Sequence, residues 1–209
     1  MAPKGTEVII AIDGPSASGK GTLAKALAAK LGYHFLDTGA LYRMVGLAVS
    51  RMAIDPNDEE ACAAVAASLN LTSFADSDLR GELVGGYASK VAVLPKVRAA
   101  LLKLQRDFST KPPGAVLDGR DIGTVICPQA DFKFYITASV EVRAKRRHLE
   151  IPGSDLLAIK ADILARDERD ANRMVAPLKP AVDAVVIDTS HLSPVDALQK
   201  VLTHILQKG

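Results

Sequence analysis

The residues best suited to chemistry form one run near the start of the chain: Gly14-Pro15-Ser16-Ala17-Ser18-Gly19-Lys20, then Gly21 and Thr22. A polyphosphate needs several backbone N–H groups turned inward, a helix N-terminus beneath it and one cation. Glycines permit the tight backbone, and Lys20 is placed to reach the outer phosphates. The position after the lysine commonly carries a Ser or Thr whose hydroxyl ligates Mg²⁺. Here it is Gly21, and the hydroxyl comes one residue later at Thr22. Mg²⁺ is therefore expected on phosphate oxygens and water, which that ion tolerates, with no protein ligand of its own. An Asn-Lys-x-Asp element that would read guanine is absent.

Other candidates are more scattered. Asp13, Asp37, Asp118 and Asp188 each follow a short apolar run. Arg166, Asp170 and Arg173 recur at i, i+4 and i+7, so one continuous helix puts all three on one face. The same spacing also describes a solvated helix with an Arg166–Asp170 ion pair. The basic run Arg143, Lys145, Arg146 and Arg147 reads as a solvated face or a hinge rather than a nucleic-acid patch. Cys62 and Cys127 form no CxxC or zinc spacing and read as reduced core residues.

The elements that must position these groups follow from the apolar pattern. Val8 to Ile12 is a continuous apolar run, as expected of a strand buried on both faces. Leu23, Leu27 and Leu31 mark an amphipathic helix that stops at Gly32. His34 to Leu36 predicts a second strand, followed by helices from about Thr38 to Met52 and from Asp58. The stretch from Leu71 to Gly86, with Asp76, Gly81, Gly85 and Gly86, reads as loop or insertion. Pro95 opens a helix with Val97, Leu101, Leu104 and Phe108 on one stripe. Strands are expected at Ala115 to Asp118, Phe132 to Thr137 and Ala184 to Asp188. Ser139 caps a basic helix to Leu149, and Ser154-Asp155 starts another to about Met174. Ser193-Pro194-Val195-Asp196 caps the last, with Val195, Leu198, Val201, Leu202 and Ile205 inward. Five apolar strands alternating with helices predict an α/β fold whose parallel sheet is covered on both faces. In such a sheet the site lies at the carboxyl ends of the strands.

Composition removes several function classes. Lys plus Arg is 26 and Asp plus Glu 24, a formal net charge of only +2, which argues against a surface built for a polyanion. Four Tyr, five Phe and no Trp leave little for base stacking. The first apolar run is too short for a signal-peptide core, and Ala61 to Ala75 too short and too polar to span a bilayer. A soluble cytoplasmic protein, most simply a monomer with no nucleic-acid or membrane partner, is the expectation.

Four blocks stand in order along the chain: Ile12 through Thr22; Leu36-Asp37-Thr38-Gly39-Ala40-Leu41-Tyr42-Arg43; Asp118-Gly119-Arg120-Asp121-Ile122-Gly123-Thr124-Val125; and Arg166-Asp167-Glu168-Arg169-Asp170 through Asn172-Arg173 with Ala176-Pro177-Leu178. Together they resemble the bacterial cytidylate kinases, within the nucleoside monophosphate kinases. The likeness runs from about Val8 to Leu206. It implies a P-loop kinase, three-layer α/β/α, with a five-stranded parallel sheet in one domain. The core would be about 6–58, 112–148 and 175–209, with an NMP-binding segment at about 59–111 and a lid at about 149–174.

The resemblance also implies transfer of the ATP γ-phosphoryl to CMP or dCMP, with Mg²⁺. Gly14 through Thr22 would hold ATP, and Lys20, Arg120, Arg166 and Arg173 would act on the transferring phosphoryl. Thr38 would lie near the CMP, and Arg43 would hold the acceptor phosphate. Ser89, Arg98 and Asp121 would read the cytosine, and Asp170 would join the lid arginines at ribose and phosphates. Hydrogen-bond chemistry supports Asp121 independently, since a carboxylate accepts from the cytosine amine and repels a carbonyl there. Asp118 is expected to orient a metal-bound water or a neighbouring arginine, with a purely structural cap as the alternative. Two features depart from the family pattern: the path from Leu71 to Leu79 is too short for the usual insertion with its small β-hairpin, and the lid tip is only Ile151-Pro152-Gly153. Read from the residues alone, two alternatives stay open: another small-molecule P-loop kinase, or an ATP-binding switch without turnover.

Overall fold

A computed structural model describes residues 7–75, 77–79 and 82–208. Asp76 and Gly81, read above as loop, lie outside the described residues. The chain divides into two compact units, one built from residues 1–36 and 108–209, the other from 37–107.

The first unit holds the sheet. Its strands are β1 (Val8–Asp13), β2 (His34–Asp37), β3 (Gly114–Gly119), β4 (Phe132–Thr137) and β5 (Val185–Asp188), in the order β2-β3-β1-β4-β5. β1 runs parallel to both β3 and β4, and β4 parallel to β5. The central strands bury both faces, which is why β1 and β3 read as unbroken apolar runs. Asp13 stands opposite Gly119 and Tyr135, and Ile12 opposite Asp118, so the register brings the functional loops together at one edge. α1 (Lys20–Leu31) and α8 (Pro194–Lys208) pack on the sheet through Leu23, Leu27 and Val201, with Phe134 and Ile136 beneath. α8 shows the expected reciprocal cap, Ser193 Oγ accepting from Asp196 N while Asp196 Oδ2 accepts from Ser193. Val195, expected inward, is 74% exposed, and Ala197 is buried in its place. The apolar stripe of α8 is centred on Val201, and Val195 lies off its edge in the first turn. α6 (Val140–Glu150), capped by Ser139, and α7 (Leu156–Ala171), capped by Asp155, pack on one another. α7 ends three residues before the expected Met174.

The second unit is helical: α2 (Thr38–Arg51), α3 (Glu59–Ala67), a 3₁₀ turn at 71–73, α4 (Glu82–Val91) and most of α5 (Pro95–Ser109). Its core joins Leu41, Val45, Val49, Cys62, Val91 and Leu101. The loop expected through Gly86 is corrected here, because α4 begins at Glu82 and carries Gly85 and Gly86 within it. Packing overrides the poor helix propensity of glycine. A Cβ on Gly46 of α2 would fall 2.7 Å from Ala88 N and 3.0 Å from the Tyr87 carbonyl carbon, so its absence lets α4 dock against α2.

Candidate active site

The phosphate loop leaves β1 at Asp13 and enters α1 at Lys20. Gly14 must be glycine, since a Cβ there would lie 2.0 Å from the Ile136 carbonyl oxygen. Ala17 and Gly19 take left-handed backbone, with φ of 57° and 88°, which curls the loop over the start of α1. Lys20 Nζ is 3.4 Å from the Pro15 carbonyl and 3.9 Å from Asp118 Oδ1. A Cβ on Gly21 would lie 3.1 Å from Asp118 Oδ2, so that carboxylate closes on the place a Ser or Thr hydroxyl usually fills. Thr22 is exposed. The Ser18 hydroxyl is buried with no hydrogen-bond partner among the described residues.

Arg143 and Arg146 correct the reading of the basic run as a solvated face. Arg143 is buried and donates to the Ser16 carbonyl, and Arg146 donates to the carbonyls of Ser18 and Thr189. Thr189 Oγ1 donates to Ser18 O from the other side. Lys145 is exposed, and Arg147 pairs with Glu150 on the same helix. These residues were missed because a run of basic side chains does not announce which of them meets a loop.

A cationic cluster gathers about Asp170. Its Oδ2 accepts from Arg120 Nε at 3.0 Å, and its Oδ1 accepts from Arg173 Nη2. Burial by itself would raise the Asp170 pKa, but the two guanidiniums outweigh it and hold the carboxyl below its ordinary range. The three-on-one-face reading needs correction, because α7 stops at Ala171 and Arg173 lies past the helix end. Asp170 joins Arg173 to Arg120, while Arg166 turns to Ser16 with Nη1 at 3.4 Å from Oγ. Burial, with Arg120 close by, lowers the Arg166 pKa from its ordinary value, and Asp170 opposes that fall. Arg173 Nε is a further buried donor without a partner among the described residues.

Asp121 is buried and opens a single π-type turn over Ile122–Ile126, which the sequence reading did not foresee. Asp13 holds that turn, accepting from Ile122 N and Gly123 N at 2.8 Å each. Burial drives the Asp13 pKa up to about 7 against those two bonds, with Asp121 and Asp118 adding to the rise.

The second unit carries the remaining candidates. Thr38 is buried at the first position of α2, and Asp37 caps that helix through Ala40 N. The other Asp37 oxygen accepts from Arg43 Nη2 at 2.6 Å, which fixes the guanidinium beside Gly39. Arg98 is buried, donates to the Ala92 carbonyl at 3.1 Å and stacks 5.6 Å from the Tyr42 ring centroid. The Ser89 hydroxyl is buried with no hydrogen-bond partner among the described residues.

Among the described residues no three His, Cys, Asp or Glu are placed to hold a metal, and no helix is long and apolar enough to cross a membrane. Residues 10–207 match the family described as cytidylate kinase. A cytidylate kinase from Bradyrhizobium sp. (strain ORS 278) is 56% identical over 189 residues, 88% of this chain and 89% of that one. A cytidylate kinase from Rhodospirillum rubrum is 51% identical over 97% of this chain and 99% of its own. A gluconokinase from Sinorhizobium meliloti 1021 shares the fold with a TM-score of 0.53 at 15% identity, covering 96% of this chain and 92% of that one. A parallel sheet, a glycine loop gripping a helix N-terminus and arginines gathered on one acid thus accompany a match over nearly the whole sequence, and the chain belongs to the cytidylate kinase family.

Proposed function

We propose that this chain transfers the γ-phosphoryl of ATP to CMP, giving ADP and CDP, and accepts dCMP as well. The observation that carries this reading is the joint presence of the family match over residues 10–207 and the Arg120–Asp170–Arg173 cluster. Phosphoryl transfer is mostly positioning and charge neutralisation, and fixed guanidiniums supply both.

Residues 14–22 take the ATP phosphates, with Lys20 at the outer ones. Arg120, Arg166 and Arg173 stabilise charge on the transferring group. Arg43 holds the acceptor phosphate, and Thr38, Ser89, Arg98 and Asp121 take the CMP, with Asp121 accepting from the cytosine amine. Asp170 orients its arginines and reaches the ribose. The 59–111 segment serves the acceptor and 149–174 covers ATP. Mg²⁺, when bound with ATP, shields phosphate charge. Asp118, a buried acid beside Lys20 and Gly21, fits a partner held through water, since no three acids, His or Cys among the described residues are placed as a metal cage. The protein works in the cytoplasm as a monomer on free nucleotides, without nucleic acid; balanced charge and two free, buried cysteines support that.

A coupled assay of ADP formation with ATP and each monophosphate tests the reading. CMP and dCMP are expected to be the best acceptors, and turnover with UMP or AMP equal to that with CMP would overturn it.

A further inference from the structure

Arg143 grips the phosphate loop but has no part in the phosphoryl-transfer reading above. It is a cation only 4% exposed, and three of its nitrogens point to three different elements. Nε donates to the Ala138 carbonyl at 3.0 Å, just past β4. Nη1 donates to the Ser16 carbonyl at 3.2 Å, in the phosphate loop. Nη2 lies 2.6 Å from Asp167 Oδ2, on α7. Burying an ion pair is costly, and a well-packed apolar pair often fastens two helices at least as well. An apolar pair cannot hold a loop carbonyl and a helix carboxylate in one rigid plane, as a guanidinium fork does.

The neighbour of Asp167 in sequence is Arg166, and Arg166 reaches the Ser16 hydroxyl. Ser16 is therefore gripped twice. Its carbonyl is held by Arg143, and its hydroxyl by the residue next to the partner of Arg143. The circuit closes through one peptide bond of α7. We propose that Arg143 and Asp167 are positioning residues that lock α7 to the phosphate loop and so fix where the Arg166 guanidinium stands. Neither touches the reacting atoms. The inference deepens the phosphoryl-transfer reading and rests on it.

The test is a double-mutant cycle on the enzyme, with kcat, both KM values and the melting temperature measured for each variant. Asp167→Asn keeps the side-chain size and removes the charge, and it is expected to lower kcat about tenfold with little change in the KM for CMP. In an Arg166→Ala background the same substitution should change kcat by less than about twofold, because the residue through which it acts is already gone. Equal falls in both backgrounds, or no fall in the parent, would overturn the proposal. Arg143→Lys provides a second route should Asp167→Asn fold poorly. It keeps the charge but loses the fork, so kcat should fall while the melting temperature holds, and a kcat equal to that of the parent would count against the lock. A parent enzyme that makes no ADP with CMP would instead sink the kinase reading itself, so the two failures are distinguishable.

Discussion

Asp13 offers the sharpest physical test of the site. The carboxylate is 4% exposed and accepts two backbone N–H bonds from the turn that follows Asp121. Burial raises its pKa from 3.8 to about 7, against those two bonds. A carboxyl raised on folding binds its proton more tightly in the folded protein. Its contribution to stability is therefore complete below the unfolded value of 3.8 and is lost as pH climbs through about 7. A difference of about three pH units at about 1.4 kcal/mol each makes the whole effect about 4 kcal/mol. Between about pH 4.5 and about pH 7.5, roughly 3 kcal/mol of that should be expressed.

Asp13→Asn replaces the titrating group by a neutral one of the same shape. The amide keeps one acceptor oxygen and places an NH₂ against the second backbone N–H, so the variant should be less stable than the parent at acid pH. The parent's advantage should then shrink by about 3 kcal/mol over that interval as Asp13 ionises. Urea denaturation of both proteins at matched pH values measures it, using the difference in unfolding free energy at each pH. A difference that stays flat, or that widens as pH rises, would refute the argument that burial dominates the two hydrogen bonds.

Gly14→Ala should abolish useful ATP binding, because its Cβ would overlap the Ile136 carbonyl and force the loop off β4; a drop in kcat/KM for ATP of about 100-fold is expected from steady-state kinetics. Asp170→Asn removes the carboxylate shared by Arg120 and Arg173 and leaves two partly buried cations facing one another, which should cost about 3 kcal/mol in chemical denaturation and lower kcat as the guanidiniums separate. Arg43→Ala and Arg120→Ala should each lose most of kcat while ATP affinity, read by equilibrium titration, survives. Loss of ATP affinity in both would reverse the assignment of donor and acceptor sides.

What was legible in the sequence follows from where the determining forces act. The strands were readable because β1 and β3 are buried on both faces, β1 ending at Asp13 and β3 at Gly119, one residue past Asp118. Helix starts were readable at Asp58, Ser139, Asp155 and Ser193, because a capping side chain bonds within three residues of itself. The failures were non-local. α4 forms through Gly85 and Gly86 because the missing Cβ of Gly46 admits it, and nothing near residue 85 encodes that. The π-type turn at 122–126 depends on a carboxylate more than a hundred residues away in sequence. Arg143 and Arg146 look like their exposed neighbours until the fold turns one side of α6 toward the phosphate loop. Among the candidate residues, the motif letters singled out the phosphate loop, Arg120 and Asp170. They did not show that Asp170 would serve arginines on both sides, nor that Asp13 would support the turn beside Asp121.

A net charge of +2 conceals a site in which strong cations are held by strong acids. Lys20 lies near Asp118, Arg120 and Arg173 lie on Asp170, and Arg143 lies on Asp167. Without these acids the clustered cations would repel one another in the nucleotide-free protein, and with them each guanidinium has a fixed direction. A phosphate arriving at such a cation adds to a pair that already exists, so its gain is smaller than the bare attraction but costs little reorganisation. Arg166 is held differently. Its side-chain partner is a neutral hydroxyl at 3.4 Å, and burial already lowers its pKa, so its charge is the less compensated one. A cation whose hydrogen-bond partner is a neutral hydroxyl gains most when negative charge spreads over a transferring phosphoryl, because that interaction strengthens from ground state to transition state. The proposal therefore predicts that loss of Arg166, or of the Arg143–Asp167 pair, lowers kcat more than it raises the KM of either substrate.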